Sequence, residues 1–242
     1  MPLPKISTPQ YELILPSTEK AIKYRPFLVK EEKILLLALE SQDTKQITNA
    51  IKQVLKDCIL SKGIKVEELP TFDIEYIFLN VRGKSVGESV DLIITCSDDG
   101  VTEVPVTIYI DEIQVQRNEK HTTNIRLDDK LTLKMKYPSL NQFIKSNFDF
   151  NEEQTVSNID KSFDIISSCM DIVFTQDESW AAADCTPKEL KDWIETLTAQ
   201  QFKEIETFFE TMPKLAHTIK VTNPNTKVES EVTLEGLTSF FG

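Results

Sequence analysis

The side chains best able to do chemistry are sparse in this chain. There are four cysteines, Cys58, Cys96, Cys169 and Cys185, and two histidines, His121 and His217. The cysteines form no C-x-x-C pair and no H-E-x-x-H run occurs, so the spacing offers no catalytic zinc site. Cys96 stands beside a turn, where a zinc ribbon would place a ligand, but Ser97 to Gly100 supply no second one. Cys185 precedes Thr186 and Pro187 near an expected helix N-terminus, a setting that can activate a thiol. Nothing in the sequence brings His121 or His217 to it, and the plain reading is a spectator beside a helix cap. Arg82-Gly-Lys-Ser85 resembles the end of a phosphate loop, but the position five before Gly83 is Phe78 rather than glycine. Without that glycine, backbone amides cannot close on a phosphate. Asp98-Asp99, Asp111-Glu112, Asp128-Asp129 and Glu152-Glu153 are adjacent carboxylates expected to face water, and no D-x-D-x-D-G calcium loop is present. These negatives describe a chain that is not an enzyme and has no cofactor or metal site.

What remains is apolar and aromatic. Trp180, Trp193, Phe208, Phe209, Phe240 and Phe241 are the candidate interaction residues, since buried aromatic anchors dominate protein interfaces. For Trp193, packing on its own helix face is the stronger alternative. Formal net charge is −12 over 242 residues. That balance argues against nucleic acid or an anionic membrane as main partner, because phosphate binding needs clustered Lys and Arg. No run of about eighteen apolar residues could span a membrane. Pro2, Pro4 and Pro9 interrupt any apolar signal core, so the chain is expected in the cytoplasm where it is made, with reduced cysteines. Cys58 and Cys169 fall within apolar helical patterns and read as core.

The elements that must carry these residues alternate between two periods. Tyr11–Leu15 and Ala21–Arg25 flank Pro16-Ser-Thr-Glu-Lys20, a hairpin pattern. A helix is expected over Val29–Glu40 with Ile34, Leu35, Leu37 and Ala38 at helical spacing. Asp43 and Gln46 have the spacing of a capping box before Ile47, Ile51, Val54, Leu55, Cys58 and Ile59, with Gly63 as the stop. Phe72–Val81 fits a buried helix, with a strand as the alternative, and Gly87 marks the turn that follows. Period two then begins. Ser89–Cys96 and Val104–Ile110 flank Ser97-Asp-Asp-Gly100, and Asn124–Leu127 and Leu131–Met135 form a further antiparallel pair. Helical spacing returns at Leu140, Phe143 and Ile144, and again over Val156–Val173 after the polar connection 151–154. Thr186-Pro-Lys-Glu189 and Thr198-Ala-Gln-Gln201 are helix starts. Pro213 stops the second of these helices. Ala216–Thr222 and Glu231–Leu234 then flank Asn223-Pro-Asn-Thr226, before an apolar tail from Leu237 to Phe241.

The pattern is α+β: helical segments with antiparallel β-hairpins. Strand, turn, strand and Ile110-Asp-Glu-Ile113 echo strand, turn, strand and Leu234-Glu-Gly-Leu237, which could reflect two related helix-plus-hairpin units. The expected regions are 1–87 (hairpin and helices), 88–137 (antiparallel β) and 138–242 (helices, a hairpin and the tail).

Three blocks carry a family likeness. Residues 1–41, Asp73-Ile-Glu-Tyr-Ile-Phe-Leu-Asn-Val-Arg-Gly-Lys-Ser-Val-Gly-Glu88, and the C-terminal stretch from Phe208-Phe-Glu-Thr-Met-Pro through Leu234-Glu-Gly-Leu-Thr-Ser-Phe-Phe241 resemble the baseplate hub proteins of T4-type contractile phage tails. The resemblance implies a phage-encoded structural or assembly protein, made in the host cytoplasm, whose partners are other hub or tail proteins. Its family pattern contains no catalytic residues, so none are carried over. Two roles follow: a hub component that stays in the virion, or an assembly chaperone that leaves before completion.

Overall fold

The computed structural model describes residues 6–141, 158–236 and 239. Among these residues are six helices and eleven strands, the strands in small antiparallel sheets, an α+β fold. Two hydrophobic cores organise it.

The first core gathers the N-terminal half and the last hairpin. Strands β1 (Tyr11–Ile14) and β2 (Ala21–Tyr24) pair antiparallel with Tyr11 opposite Tyr24. Leu13, Leu15, Ile22 and Tyr24 turn inward. Helix α2 (Thr44–Cys58) buries Ile47, Ile51, Val54, Leu55 and Cys58 against them. Asp43 caps it by accepting hydrogen bonds from the Lys45 and Gln46 amides. The Gln46 side chain donates to the Asp43 carboxylate rather than closing a box on the backbone. The helix stops at Cys58, before Gly63, because Ile59 bridges Tyr24 and the Leu60 amide donates to the Lys23 carbonyl. Tertiary pairing, not the glycine, ends it.

Helix α3 (Thr71–Val86) is the central rod of this core, with Ile74, Ile77, Leu79 and Val81 enclosed. The helical alternative for this segment is the one realised. Gly83 lies inside α3, where an added Cβ would come within 2.7 Å of Ile110 Cδ1. Glycine therefore lets the chain after the next hairpin press against the helix. Gly87 (φ 141°) ends α3 and turns the chain into β3 (Ser89–Thr95), paired with β4 (Glu103–Tyr109). Val90, Leu92 and Ile94 alternate inward, as period two requires. Strand β5 (Gln114–Gln116), which the sequence reading did not find, adds to the far hairpin of β10 (Lys214–Thr222) and β11 (Glu229–Glu235). Three residues are too few to show a period.

The second core lies under a sheet ordered β6 (Asn124–Arg126), β7 (Thr132–Met135), β8 (Met170–Phe174), β9 (Ser179–Ala181). Helices α4 (Asn158–Cys169), α5 (Pro187–Glu195) and α6 (Ala199–Thr211) cover it. Ile125, Leu133, Met135, Ile166, Cys169, Ile194, Ile205 and Phe208 form its interior. Strands from the expected central region and helices from the expected C-terminal region thus share one core. Both capping boxes form, at Thr186 with Glu189 and at Thr198 with Gln201. The expected helix over Val156–Val173 is corrected at its end. It stops at Cys169, and Met170–Phe174 is a strand whose Ile172 and Val173 pair with Lys134 and Leu133. The Lys136 amide donates to the Cys169 carbonyl at the junction. An unpaired edge of β7 was available, and the β-branched pair fits a sheet better than a helix. Phe143, Ile144, the connection 151–154, Val156, Leu237 and the tail residues Phe240 and Phe241 lie outside the described residues.

Candidate interaction surfaces

Helix α1 (Val29–Ser41) shows the largest departure from the expected burial. Its start is fixed from within. Glu31, fully buried, accepts hydrogen bonds from Arg25 Nη2 (2.8 Å) and the Leu28 amide (2.8 Å), and pairs with Lys30 (3.1 Å). Burial raises the Glu31 carboxyl, but these partners outweigh it and hold the pKa down at about 2. The rest of the helix buries only Ala38, with Leu35 partly covered. Ile34 and Leu37, which share helical spacing with Leu35 and Ala38, are exposed, as are Leu36 and Leu39; Leu36 and Leu37 are each 55 % exposed. The reason is angular. Leu35-Leu36-Leu37 sweeps about 200° around a helix at ~100° per residue. A helix packed on one side cannot bury all three. Val29, Leu36 and Leu37 thus stand on the outward side of the helix, with Lys33 and Glu40 between them.

A second surface lies on the other core. Trp180 stands on β9 and is 47 % exposed; Trp193 stands on α5 and is half-buried. Together with Leu190, Met170, Val173 and Cys185 they line an apolar cavity of about 510 Å³. The fold therefore brings together three residues that the sequence singled out separately, the two tryptophans and Cys185. Phe209 is partly buried against the same core. Phe208 is 2 % exposed and belongs to the interior, so the structure removes it from the candidate contact residues. Helical spacing could not tell Phe208 from Phe209, since the covered face depends on which elements pack there.

The reactive-residue candidates are each engaged elsewhere. His121 lies between Thr211 Oγ1 (3.0 Å) and the Tyr137 hydroxyl (3.0 Å). Burial lowers its pKa, favouring the neutral ring. His217 faces Glu112 at 3.9 Å. The Cys185 thiol points to the Ala181 carbonyl at 3.8 Å. Cys58, Cys96 and Cys169 are buried, and burial pushes the Cys58 thiol up to about 12 and that of Cys169 to about 11. Arg82-Gly-Lys-Ser85 is wholly helical; Ser85 Oγ donates to the Val81 carbonyl (2.6 Å) and accepts from the Phe27 amide (2.9 Å). Asp98 and Asp99 do not merely face water. Asn223 Nδ2 donates to both carboxylates, at 3.0 Å and 2.9 Å, and Thr226 Oγ1 donates to Asp98. The turns of the β3–β4 and β10–β11 hairpins, which echo one another in sequence, are clasped tip to tip. No helix among the described residues is long and apolar enough to cross a membrane.

A family model described as T4 bacteriophage base plate protein matches residues 8–242. The chain belongs to this family. No characterised protein and no solved structure matches it. Membership of a base plate family implies contacts with other phage tail proteins. The match spans both cores, so each surface belongs to the family region of the chain.

Proposed function

We propose that this base plate protein is a structural component of the central hub, acting through protein–protein contacts and not through bond-making. The exposure of apolar residues on α1 is the observation that carries the reading. A soluble chain does not gain from holding Leu36, Leu37 and Val29 in water unless another surface covers them. The sequence blocks at 1–41 and 73–88 that resemble hub proteins contain α1 and all but the first two residues of α3, so the resemblance and the exposed α1 leucines coincide. Obligate assembly interfaces bury more than about 2,000 Å² and are rich in such side chains. The contacts form in the host cytoplasm, and the protein then remains in the tail.

Quantitative mass spectrometry of purified tails beside assembly intermediates is the direct test. A fixed small copy number in finished tails is the expected result. Presence in intermediates with absence from finished tails would instead identify an assembly chaperone. The double variant Leu36→Glu, Leu37→Glu should leave the thermal midpoint of the isolated chain nearly unchanged, since neither side chain packs inside. It should lower incorporation into tails by at least about tenfold, the effect of losing roughly 1.4 kcal/mol at a contact. Incorporation at the wild-type level would show that α1 is not the contact face.

A further inference from the structure

We propose that the cavity between Trp180 and Trp193 receives an extended, lysine- or arginine-bearing segment of a partner protein, which pairs with the edge of β9 and buries one large apolar side chain. This rests on the reading of the chain as a contact-making protein, but not on its being a hub subunit.

Three observations converge. The first is the cavity itself: about 510 Å³ is room for a large side chain, and its walls are apolar apart from Glu189, which is held in the capping box of α5. The second is its position beside a sheet edge. Strand β9 closes the order β6-β7-β8-β9, and among the described residues its outer side has no strand partner. An extended segment added there gains main-chain hydrogen bonds, and alternate side chains point to one face. The tryptophan that lines the cavity is on that same strand. The third is charge. From Asp177 to Glu195 six carboxylates stand against two lysines. Lys191 is committed to Asp164 at 2.5 Å. Asp177, Glu178, Asp184 and Asp192 are exposed and enter no ion pair among the described residues. The stretch that carries both tryptophans therefore has four more carboxylates than lysines, and a segment with cationic side chains beside its apolar anchor is its complement. The same acidic stretch, on a chain of net charge −12, disfavours a second copy.

The isolated full chain reports on this site through its own residues. It has only two tryptophans, both at the cavity, and Cys185 is exposed while the other three cysteines are buried. Two short blocked peptides of alternating pattern serve as probes, one of lysine with valine and leucine, the other with glutamate in place of lysine. The lysine peptide should shift tryptophan fluorescence and slow alkylation of Cys185, binding at least about tenfold tighter than its glutamate counterpart at low salt. Raising salt should shrink the difference. Trp180→Ala should abolish the response, and the surface variant Asp177→Lys, Glu178→Lys, Asp184→Lys should erase the preference, each with unchanged circular dichroism. Equal binding of both peptides, binding of neither, or a fluorescence change without protection of Cys185 would overturn the proposal. So would a concentration-dependent dimer that Trp180→Ala dissolves, because it would give the cavity to a second copy. None of these results bears on tail composition, so the hub reading stands or falls separately.

Discussion

At the scale of single residues, the buried carboxylate of Glu31 matters more than any cysteine or histidine. It ties Arg25, just after the first hairpin, to the first turn of α1, and so sets the angle at which the exposed leucines leave the core. Removing one partner of a buried pair strands the other without solvent. Glu31→Ala should therefore destabilise the chain by about 3 kcal/mol, measured by urea unfolding. The pH dependence has a definite sign. The folded pKa of about 2 lies below the ordinary value of 4.5. The contribution is then complete above the ordinary value and is lost as pH falls from there toward the folded value. The acid limb of stability should be shallower in Glu31→Gln, and an unchanged limb would refute the assignment.

At the scale of elements, the two echoing hairpins meet at their tips. Asn223 is fully buried, donates to Asp98 and Asp99, and accepts from the Asn225 and Thr226 amides. Thr226 and Asn223 hold the Asp98 carboxyl below its usual range, and the Thr102 hydroxyl does the same for Asp99. Truncating Asn223 removes the donor shared by Asp98 and Asp99 and leaves the Thr226–Asp98 and Asn225–Thr102 hydrogen bonds between the turns. Asn223→Ala should lower stability, because the buried amide loses its hydrogen bonds to two exposed carboxylates and to the Asn225 and Thr226 amides. Combining it with Asp98→Ala should cost less than the two single changes added together, because the Asn223–Asp98 hydrogen bonds are lost in both single variants and counted once in the double. Strict additivity in urea unfolding would show that the tips are merely adjacent.

At the scale of the whole molecule, an aromatic joint links the two cores. Phe72 on α3 meets Tyr137 edge-on at 5.0 Å, and Tyr137 stacks with both His121 (5.6 Å) and Phe208 (5.8 Å). His121 is the titratable member. Its folded pKa is lowered from 6.5 by burial, so the joint is intact above that value and loses stability as pH falls below it. Calorimetry should show the thermal midpoint falling between about pH 7 and pH 5, and falling less in His121→Gln, which cannot titrate. A slope identical in the two proteins would remove His121 from the joint. Tyr137→Ala should also broaden or split the transition, since the aromatic contact between the cores is gone.

Much of the architecture was legible in the chain, and the reasons are local. Proline, glycine and capping residues act within a few positions of themselves, so Thr186-Pro-Lys-Glu189, Gly87 and the Ser97–Gly100 turn mark their elements directly. Period-two alternation around that turn and helical spacing in α2 come from a single buried face, which any one-sided packing reproduces. The family likeness in residues 1–41 and 73–88 was likewise carried by the sequence. Only the tertiary structure decided the rest. Met170–Phe174 became a strand because β7 offered an unpaired edge thirty-odd positions away in the chain. Strand β5 formed because β10 lay beside it. Ile34 and Leu37 stayed outside because α1 has one covered side, while Phe208 went inside because the β6–β8 sheet lies beneath α6. Trp180, Trp193 and Cys185 became one cavity for the same reason. Hydrophobic residues specify only that some surface will be covered; which face is covered, and which is left for a partner, depends on contacts between segments distant in sequence.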